Sequence, residues 1–504
     1  METPPSRRVC LAEPYHVVIQ ADVPVSAVSG LADFVETHYL TPNIRFMHGG
    51  AFSAGGDATS RHFSWIVDPA KGSEMMLPIG FPAMTVNLTV SSAGVSADFS
   101  GFEPGDARIA PICDRIADDI EVLVTSFLGH AKKTSLNFVF SVGHEAVEAP
   151  KQTSTSVRRE LLKRVFAGNT VNLFLVLIAM SFIFILILGD NAIIAILAVQ
   201  GLALVFSDRL MMGAGAVRVT KEHPEVAVVR VKCSPEVLKS LSLQGKKVVG
   251  GIRDAIDKAI STGNLSAPET KLAIHDVLVK ALVYCSVDDI EVTTRNPYAL
   301  VKDVSEKFNL PMPKITMVNS PTDNAAATGI SPGHASITIT AGALEDLKDE
   351  ELESVIGHEF GHIKGRDPII LFVVTMVMYL GGLYLWLPVL LELGFFYFLI
   401  AFSIIFLVGK FLETRADTES VVILGRPNFL ASALTRIGFT QLYYERYSPR
   451  ARFLDWLRFD PHPPIYFRVK RLSRMAEKGG KISHTLLVSI RDCISGFFGA
   501  LAGL

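Results

Sequence analysis

Four apolar runs, arranged as two close pairs, constrain the fold of this chain more than any other feature. They are Val171–Leu188 and Ala192–Phe206, then Ile369–Leu391 and Gly394–Val408. A helix needs about 20 apolar residues to cross a bilayer, which the first run nearly reaches and the second reaches only by extending or in a thinned bilayer. Two buried helices of a soluble core are the alternative, but the runs lack polar faces. The pattern predicts a multi-pass α-helical membrane protein with transmembrane hairpins at 166–208 and 369–409, in contact with the lipid bilayer.

The distribution of positive charge predicts the orientation of these hairpins. The hairpin turns carry Asp190 and Glu392 and no Lys or Arg, whereas every strong basic cluster lies outside the hairpins. These clusters are Arg158, Arg159, Lys163 and Arg164 before the first hairpin, and Lys364, Arg366, Lys410 and Arg415 around the second. Because cytoplasmic segments are enriched in Lys and Arg, both termini are expected in the cytoplasm, with the protein in the cell membrane.

Overall composition excludes little but agrees with this location. The net charge of −2 gives no indication of a nucleic-acid partner. The five cysteines are scattered and form no CxxC pair, which is typical of reduced thiols. No apolar segment follows the arginines near the N-terminus, so a cleavable signal peptide is not expected.

The remaining chain is expected to form soluble segments. Residues 1–146 have the pattern of an N-terminal α+β accessory domain, with strands at His16–Ile19, Met84–Val90 and Leu136–Val142 and a helix at Ile109–Leu128. Residues 147–165 are a linker. Segment 225–297 has a mostly helical pattern without a recognisable site, and His484–Leu504 is expected to be a peripheral or packed helix because it contains Arg491 and Asp492.

The segment Asp349–Pro368, DEELESVIGHEFGHIKGRDP, predicts one helix that carries a metal-binding motif. His358 and His362 are four residues apart, so both imidazoles lie on one helix face and can reach the same ion. Glu359 lies about 100° around the helix, near enough to act on a zinc-bound water without being a ligand. Two histidines packed at a helix surface are the alternative interpretation. The motif favours one catalytic Zn²⁺ per chain, which requires a third protein ligand.

Two further patterns are candidates for completing the site. Glu413 and Asp417 lie four residues apart just after the last apolar run, as a candidate third ligand and its neighbour, although the pattern by itself favours a solvated helix face. The strand residues Ser336, Ile337, Thr338, Ile339 and Thr340 could hold an extended substrate by strand addition, or could be an ordinary sheet strand.

The order of several motifs resembles that of the HtpX-type membrane zinc endopeptidases, HExxH gluzincins related to the type I CAAX prenyl endopeptidase and to Oma-type proteases. The motifs are NAAATG, SITIT, DEELESVIGHEFGHIKGRD, ETRAD and HPPIYFR, together with FSDRLMMG earlier in the chain. The resemblance covers the first hairpin, about 207–213 and about 297–472. It does not reach residues 1–150, and 225–297 looks like an insertion.

The resemblance implies a mainly α zincin-like catalytic domain with a small β-sheet edge, formed by residues 209–368 and 410–504. Glu413 falls on the family's zinc-binding glutamate and Asp417 on its helix aspartate. Asn324 falls on an asparagine that contacts substrate backbone, although the aromatic residue that follows it in the family is missing here. His462 and Arg468 fall on an element that stabilises the oxyanion or holds the peptide.

The expected function is therefore a zinc metalloendopeptidase at the cytoplasmic membrane surface. It would cleave membrane or membrane-associated polypeptides in protein quality control, with Glu359, His462 and Arg468 as catalytic residues. A CAAX-type processing peptidase is one alternative, although that family has more spans than the four counted here. A membrane scaffold or sensor that has lost activity, with residues 1–146 as its binding module, is another.

Overall fold

The structure is a computed structural model of the 504-residue chain. It describes residues 7–11, 15–20, 23, 27–44, 47–57, 59–69, 82–103, eleven residues between 109 and 127, 135–142, 183–184, 186–232, 235–265, 267–281, 283, 285–320, 322–380, 395–447, 449–477 and 484–502. The predicted linker, most of the first long apolar run and the turn of the second hairpin lie outside the described residues. The chain divides into two compact units, residues 1–132 with 438–447 and residues 133–437 with 448–504.

The first unit contains a six-stranded antiparallel sheet in the order β1-β2-β6-β5-β4-β3. Its elements are β1 (Arg7–Leu11), β2 (His16–Gln20), α1 (Val28–Val35, continued by a π-helical turn Glu36–Leu40 and by Thr41–Asn43), β3 (Ser53–Gly56), β4 (Ser60–Val67), β5 (Met84–Ser91) and β6 (Gly94–Ser100). Alternate residues of β5 are wholly buried, as expected of a strand with one solvated face.

A second layer covers the buried face of this sheet. It consists of α1 and of the described residues between 109 and 127, which are helical where the sequence predicted a helix. Their buried positions are Ile109, Ile112, Cys113, Ile116, Ala117, Ile120, Leu123 and Val124, a spacing that places them on one helix face. The α+β class predicted for this part of the chain agrees with these two layers.

The second unit is mainly helical with two small sheets. Its strands are β7 (Ser135–Ser141), β8 (Val217–Val219), β9 (Val226–Lys232), β10 (Ile290–Arg295), β11 (Lys314–Val318), β12 (Ala325–Gly329) and β13 (Ala335–Thr340). Its main helices are α2 (Ala192–Val205), α3 (Ser207–Ala214), α4 (Pro235–Ser261), α5 (Pro268–Lys280), α6 (Pro297–Phe308), α7 (Ala341–Asp346), α8 (Asp349–Gly365), α9 (Asp367–Leu380), α10 (Phe395–Leu424), the first half of α11 (Pro427–Tyr447, of which 438–447 belong to the first unit), α12 (Pro449–Leu457), α13 (Ile465–Glu477) and α14 (Thr485–Ala502).

The three-stranded sheet β10-β9-β7 corrects two sequence predictions. The strand at 136–142, expected in the N-terminal domain, pairs with β9 and belongs to the second unit, so the boundary lies near residue 132 rather than 146. The segment 225–297 is mostly helical, as expected, through α4 and α5, but the prediction lacked the strands β9 and β10 that it also contributes. One sheet face packs on α4 and α5, and the other joins the core around α8. Local sequence patterns do not reveal a pairing between segments about 90 residues apart in the chain.

The four-stranded sheet, in the order β12-β13-β11-β8, corrects a third prediction. β13 is an inner strand, antiparallel to β12 and parallel to β11. The residues expected to receive substrate, Ser336, Ile337, Thr338, Ile339 and Thr340, therefore have both strand edges occupied and cannot accept a further strand. Ile337 and Ile339 are wholly buried because they belong to the core. The edge next to α8 is that of β12.

Apolar helices are present in the second unit, but a four-span architecture stays a prediction. Among the described residues, α14 alone is long and apolar enough to cross a membrane by length and composition, and it leaves most of its surface exposed. Ala192–Val205 and Asp367–Met378 are shorter apolar helices. α14 packs along α10, where Ser489 Oγ lies 2.8 Å from Thr418 Oγ1 and Thr485 donates to Glu419 at 2.9 Å.

Candidate metal centre and active site

The paired helices α8 and α10 bring His358, His362 and Glu413 together. His358 Nε2 and His362 Nε2 are 3.1 Å apart, and each lies 3.3 Å from a carboxylate oxygen of Glu413. α8 begins where the Glu351 carboxylate accepts a hydrogen bond from Lys348 N, and it ends at Arg366 in the left-handed conformation. The two predicted histidine ligands and the predicted third ligand thus converge on one point.

These donor atoms have the spacing that a tetrahedral zinc ion requires. Zinc ligands at about 2.0–2.1 Å from the ion lie about 3.3 Å from one another at tetrahedral angles. The two Nε2 atoms are 3.1 Å apart, and the nitrogen–oxygen separations are 3.3 Å from His358 to Glu413 Oε2 and 3.3 Å from His362 to Glu413 Oε1. Glu413 Oε2 is also buried without a hydrogen bond to any described residue, although His358 Nε2 lies 3.3 Å and Arg468 Nη1 3.4 Å from it. Imidazole nitrogens and a carboxylate are preferred zinc ligands, so the residues present fit this ion.

A second layer of carboxylates orients both imidazoles. Asp417 Oδ1 lies 2.9 Å from His358 Nδ1, and Asp367 Oδ2 lies 2.6 Å from His362 Nδ1. A carboxylate at Nδ1 holds the proton there and leaves the Nε2 lone pair for a metal. The neighbouring role predicted for Asp417 agrees with this contact. Asp367 was missed by sequence reasoning, although its place five residues after His362, at the start of the next helix, was the available signal.

Two buried arginines hold these carboxylates in turn. Arg468 donates to both oxygens of Asp417, at 2.9 Å from Nε and 2.7 Å from Nη2, and its Nη1 lies 3.4 Å from Glu413 Oε2. Arg415 donates to Asp367 at 2.5 Å and to the Gly361 carbonyl at 3.1 Å. Arg468 was predicted to act on the substrate, but its bidentate pair with Asp417 places it behind the ligands. The geometry therefore assigns it a positioning role.

The electrostatic environment of the three ligands favours a bound cation. Burial lowers the pKa of His362, but Glu413 and Asp367 outweigh this effect and raise it well above its ordinary value. Burial would raise the pKa of Asp417, but Arg468 and His358 keep it far below its ordinary value, so this group is a carboxylate. Acidic groups that attract a proton to an imidazole also attract a metal ion to it.

Glu359 lies beside this centre and next to the sheet edge. Its Oε2 accepts a hydrogen bond of 2.6 Å from the backbone N–H of Ala327 on β12. Burial raises the pKa of Glu359, while His362 and His358 oppose the shift. A carboxylate with a raised pKa is suited to take up a proton near neutral pH. This position agrees with the general-base role predicted for Glu359.

His462 also lies close to the carboxylate of Glu413. Its Nε2 lies 3.7 Å from Glu413 Oε1, while Asp460 bonds both its Nδ1, at 2.8 Å, and its backbone N–H, at 2.9 Å. Lys410 at the start of the polar half of α10 holds this loop by donating to the carbonyls of Arg458 and Asp460. The His462 side chain is 57% exposed, so it faces the open part of the site.

Asn324 lies at the start of β12 with an exposed side chain. Its backbone N–H donates to Thr340 Oγ1, and its carbonyl accepts from the same hydroxyl, both at 2.9 Å. Thr340 also caps α7 by accepting from Ala343 N at 3.3 Å. Thr340, predicted to bind substrate, therefore joins β12, β13 and α7 instead.

Comparison with known proteins places this site in a family. Residues 293–476 match the model of peptidase family M48. The "Protease HtpX homolog" of Methanocaldococcus jannaschii is 34% identical over 220 residues, which are 36% of this chain and 76% of that protein. Proteins of the same name from Thermodesulfovibrio yellowstonii and Caldanaerobacter subterraneus subsp. tengcongensis are each 30% identical, over 36% and 40% of this chain and 75% and 83% of those proteins.

Proposed function

Because the chain belongs to peptidase family M48 as an HtpX-like metalloprotease, we propose that it is a zinc-dependent endopeptidase. Its substrates would be membrane or membrane-associated polypeptides, cleaved at the cytoplasmic membrane surface in protein quality control. The observation that carries the proposal is the arrangement of His358, His362 and Glu413 at zinc-ligand spacing, with Glu359 beside them.

In the proposed hydrolysis of a peptide bond, the residues of this site have different roles. His358, His362 and Glu413 would hold the zinc ion, which, when bound, acts as a Lewis acid toward the scissile carbonyl and lowers the pKa of water. Glu359 takes the proton of the attacking water and passes it to the leaving amine. His462, exposed and held by Asp460, donates to the oxygen of the carbonyl as negative charge develops there.

The edge of β12 is suited to hold the substrate backbone. The Ala327 N–H already points at the site, since it donates to Glu359. A polypeptide that adds as a strand beside β12 would place its backbone next to the catalytic groups, and main-chain hydrogen bonds would bind it with little sequence preference. Asn324, exposed at the start of this strand, is positioned to contact the same backbone. Broad backbone recognition suits a quality-control protease.

The proposed substrate class is supported by the short distance along the chain between the site residues and the apolar helices. His362 lies three residues before the end of α8, and the apolar α9 begins at Asp367. On the other side, the apolar first half of α10 ends a few residues before Glu413. If these apolar segments lie in the bilayer, the site is close to the membrane surface. Polypeptides held near the bilayer would then meet it more often than soluble ones.

The substitution Glu359→Gln tests the proposal. It removes the proton acceptor but keeps the shape of the side chain, so we expect hydrolysis of a labelled unfolded protein such as casein to fall by about 10³-fold or more. The zinc content should stay near one per chain. The matched control is Glu350→Gln, the same change at an exposed position in the first turn of α8, which should leave the rate unchanged.

Three results would contradict the proposal. Full activity in Glu359→Gln would mean that another group is the base. Zinc in the native protein without cleavage of casein or of any unfolded membrane protein would favour an inactive scaffold. Cleavage restricted to prenylated C-terminal peptides would favour a CAAX-type processing enzyme.

A further inference from the structure

A basic cavity lies outside the metal centre, between α12, α13 and α14. Its volume is about 590 Å³, within the range of small-molecule sites. Five basic side chains and one acidic side chain line it: Arg452, Lys470, Arg471, Arg474, Arg491 and Asp492. Trp456, Phe467 and Met475 contribute apolar wall. The peptidase reaction uses none of these residues. A cavity that combines several positive charges with an apolar wall is typical of a site for an anionic amphiphile.

The residues just after α12 lie against the apolar half of α10. The Phe459 ring packs on Phe402 and Phe406, with ring centres 6.0 and 5.8 Å away. On α12 itself Leu454 and Leu457 are exposed, beside the basic residues Arg450 and Arg458. Exposed leucines and aromatic rings flanked by arginines are typical of a helix that lies in the membrane interface. If the apolar half of α10 lies in the bilayer, the cavity beside α12 lies near the level where α10 leaves it.

α14 continues this apolar surface along the cavity. It runs antiparallel to α10, with Thr485 at Glu419 and Ser489 at Thr418, so its C-terminal half points toward the apolar half of α10. An exposed apolar stripe follows one face of α14: Leu486, Leu487, Ile490, Ile494, Phe498 and Leu501. The cavity-lining residues occupy the adjacent face, where Arg491 lies beside the stripe.

We propose that this cavity binds the phosphate-bearing headgroup of an anionic phospholipid of the membrane in which the chain resides. Lys470, Arg474 and Arg491 would contact the phosphate, and the acyl chains would follow the exposed stripe of α14. The Lys470 and Arg452 side chains already lie over the Tyr466 ring, at 5.4 and 4.9 Å from its centre, which directs both cations toward the cavity. The inference rests on the proposed membrane location, but not on zinc or hydrolysis.

Arg471 lines this cavity and also donates hydrogen bonds to α10. It donates to the Thr414 carbonyl at 3.1 Å and to Thr418 Oγ1 at 2.6 Å, the residues that directly follow Glu413 and Asp417 on α10, and it pairs with Asp492 at 2.9 Å. A substitution of Arg471 would disturb the zinc-ligand helix as well as the cavity. The test therefore uses Lys470 and Arg474, which lie on the outer side of α13.

The experiment measures binding of short-chain lipids to the full chain in a non-ionic detergent by calorimetric titration. We expect dihexanoylphosphatidylglycerol to bind about tenfold more tightly than dihexanoylphosphatidylcholine, and the double variant Lys470→Gln/Arg474→Gln to lose about tenfold in affinity for the anionic lipid. The control Arg450→Gln/Arg458→Gln removes the same charge outside the cavity and should change the affinity less than about threefold. Inorganic phosphate should bind at least about tenfold more weakly than the anionic lipid, because it has no acyl chains.

The possible results distinguish lipid binding in the cavity from binding to general surface charge, and they do not depend on the peptidase proposal. Equal affinity for the two lipids, or equal losses in the two double variants, would overturn the inference. Inorganic phosphate binding as tightly as the anionic lipid would show a phosphate site rather than a lipid site and would also overturn it. The Glu359→Gln variant should bind the anionic lipid like the native chain, so a failed peptidase test leaves this test intact.

Discussion

At the scale of single residues, each histidine of the candidate metal centre is held by a chain of polar contacts that reaches a neighbouring helix. His362 is bonded to Asp367, and Asp367 to Arg415 of α10. His358 is paired with Asp417 of α10, and Asp417 with Arg468 of α13. Since the tautomer of each imidazole depends on its carboxylate, metal affinity should depend on residues that never touch the metal.

The graded loss of zinc in two variants tests this arrangement. Glu413→Ala removes a ligand and should leave little zinc after purification in a mild chelator. Asp367→Asn keeps the ligand set but weakens the hold on His362 Nδ1, so we expect zinc affinity to fall by about 10–100-fold. Asp276→Asn, an exposed position on α5, is the matched control for the second change. Competition with a chromophoric chelator measures all three, and native affinity in Asp367→Asn would remove Asp367 from the site.

At the scale of elements, close contact between α8 and α10 sets the distance between the histidines and Glu413. Gly357, Gly361 and Gly365 follow one face of α8 at intervals of four residues. A Cβ at Gly361 would lie 2.9 Å from the Cα and 3.0 Å from the carbonyl oxygen of Ala416, and a Cβ at Gly365 would overlap the Arg415 guanidinium. The absence of side chains therefore lets the two backbones approach near enough for three ligands to meet.

The variant Gly361→Ala should separate these helices. The new methyl group meets backbone rather than a flexible side chain, so we expect the chain to lose about 1–3 kcal/mol of stability and most of its zinc. Gly250→Ala on α4 is the control, because nothing lies within 4 Å of its added Cβ and the substitution favours the helix. Thermal unfolding and zinc content are the measurements. An unchanged melting temperature and zinc content in Gly361→Ala would contradict this account.

The edge strand β12 gives a second prediction at this scale. Ala327→Pro removes the N–H that donates to Glu359, at a position where the backbone faces the site rather than β13. We expect kcat/KM on an unfolded protein to fall by about tenfold or more, with zinc still bound. Ala327→Ser keeps the N–H and should retain most of the activity. If the proline variant cleaves as fast as the native chain, the substrate does not use this edge.

At the scale of the whole molecule, the strands and helices that flank each predicted hairpin contact each other within the second unit. β7 precedes the first predicted hairpin and β9 follows it, yet the two strands pair over seven residues. α8 precedes the second hairpin, and the polar half of α10 follows it and packs on α8. The chain therefore belongs to the same folded unit before and after each predicted hairpin. This agrees with an even number of membrane crossings in each hairpin.

Cysteine labelling in intact cells tests the predicted topology. On a background without the five native cysteines, Asn191→Cys, between the first two apolar runs, should react with a membrane-impermeant maleimide from outside. Ser473→Cys, exposed on α13, should react only after the cells are permeabilised. Labelling of Ser473→Cys alone in intact cells would mean that the orientation is inverted, and labelling of neither would mean that residue 191 does not reach the outer surface.

The sequence by itself determined the chemistry of the site. The HExxH spacing placed two imidazoles and Glu359 on one helix, because a helix repeats every 3.6 residues and local geometry is enough to align them. The same periodicity predicted the helix at Ile109–Leu128, and strand alternation predicted β2 and β5. Helical periodicity also placed Glu413 and Asp417 on one helix face. The expectation that this face lies against α8 came from the family resemblance, since no local rule brings two helices together.

Only the tertiary structure decided which groups face one another across elements. β13 and β12 are both short strands in sequence, and their places inside and at the edge of the sheet depend on partners far along the chain. Arg468 was predicted to act on the substrate, but the structure pairs it with Asp417. Asp367, which no sequence pattern singled out, contacts His362 Nδ1. Edge position, ion-pair partner and imidazole orientation arise from packing between distant segments, and this is why sequence patterns alone left them open.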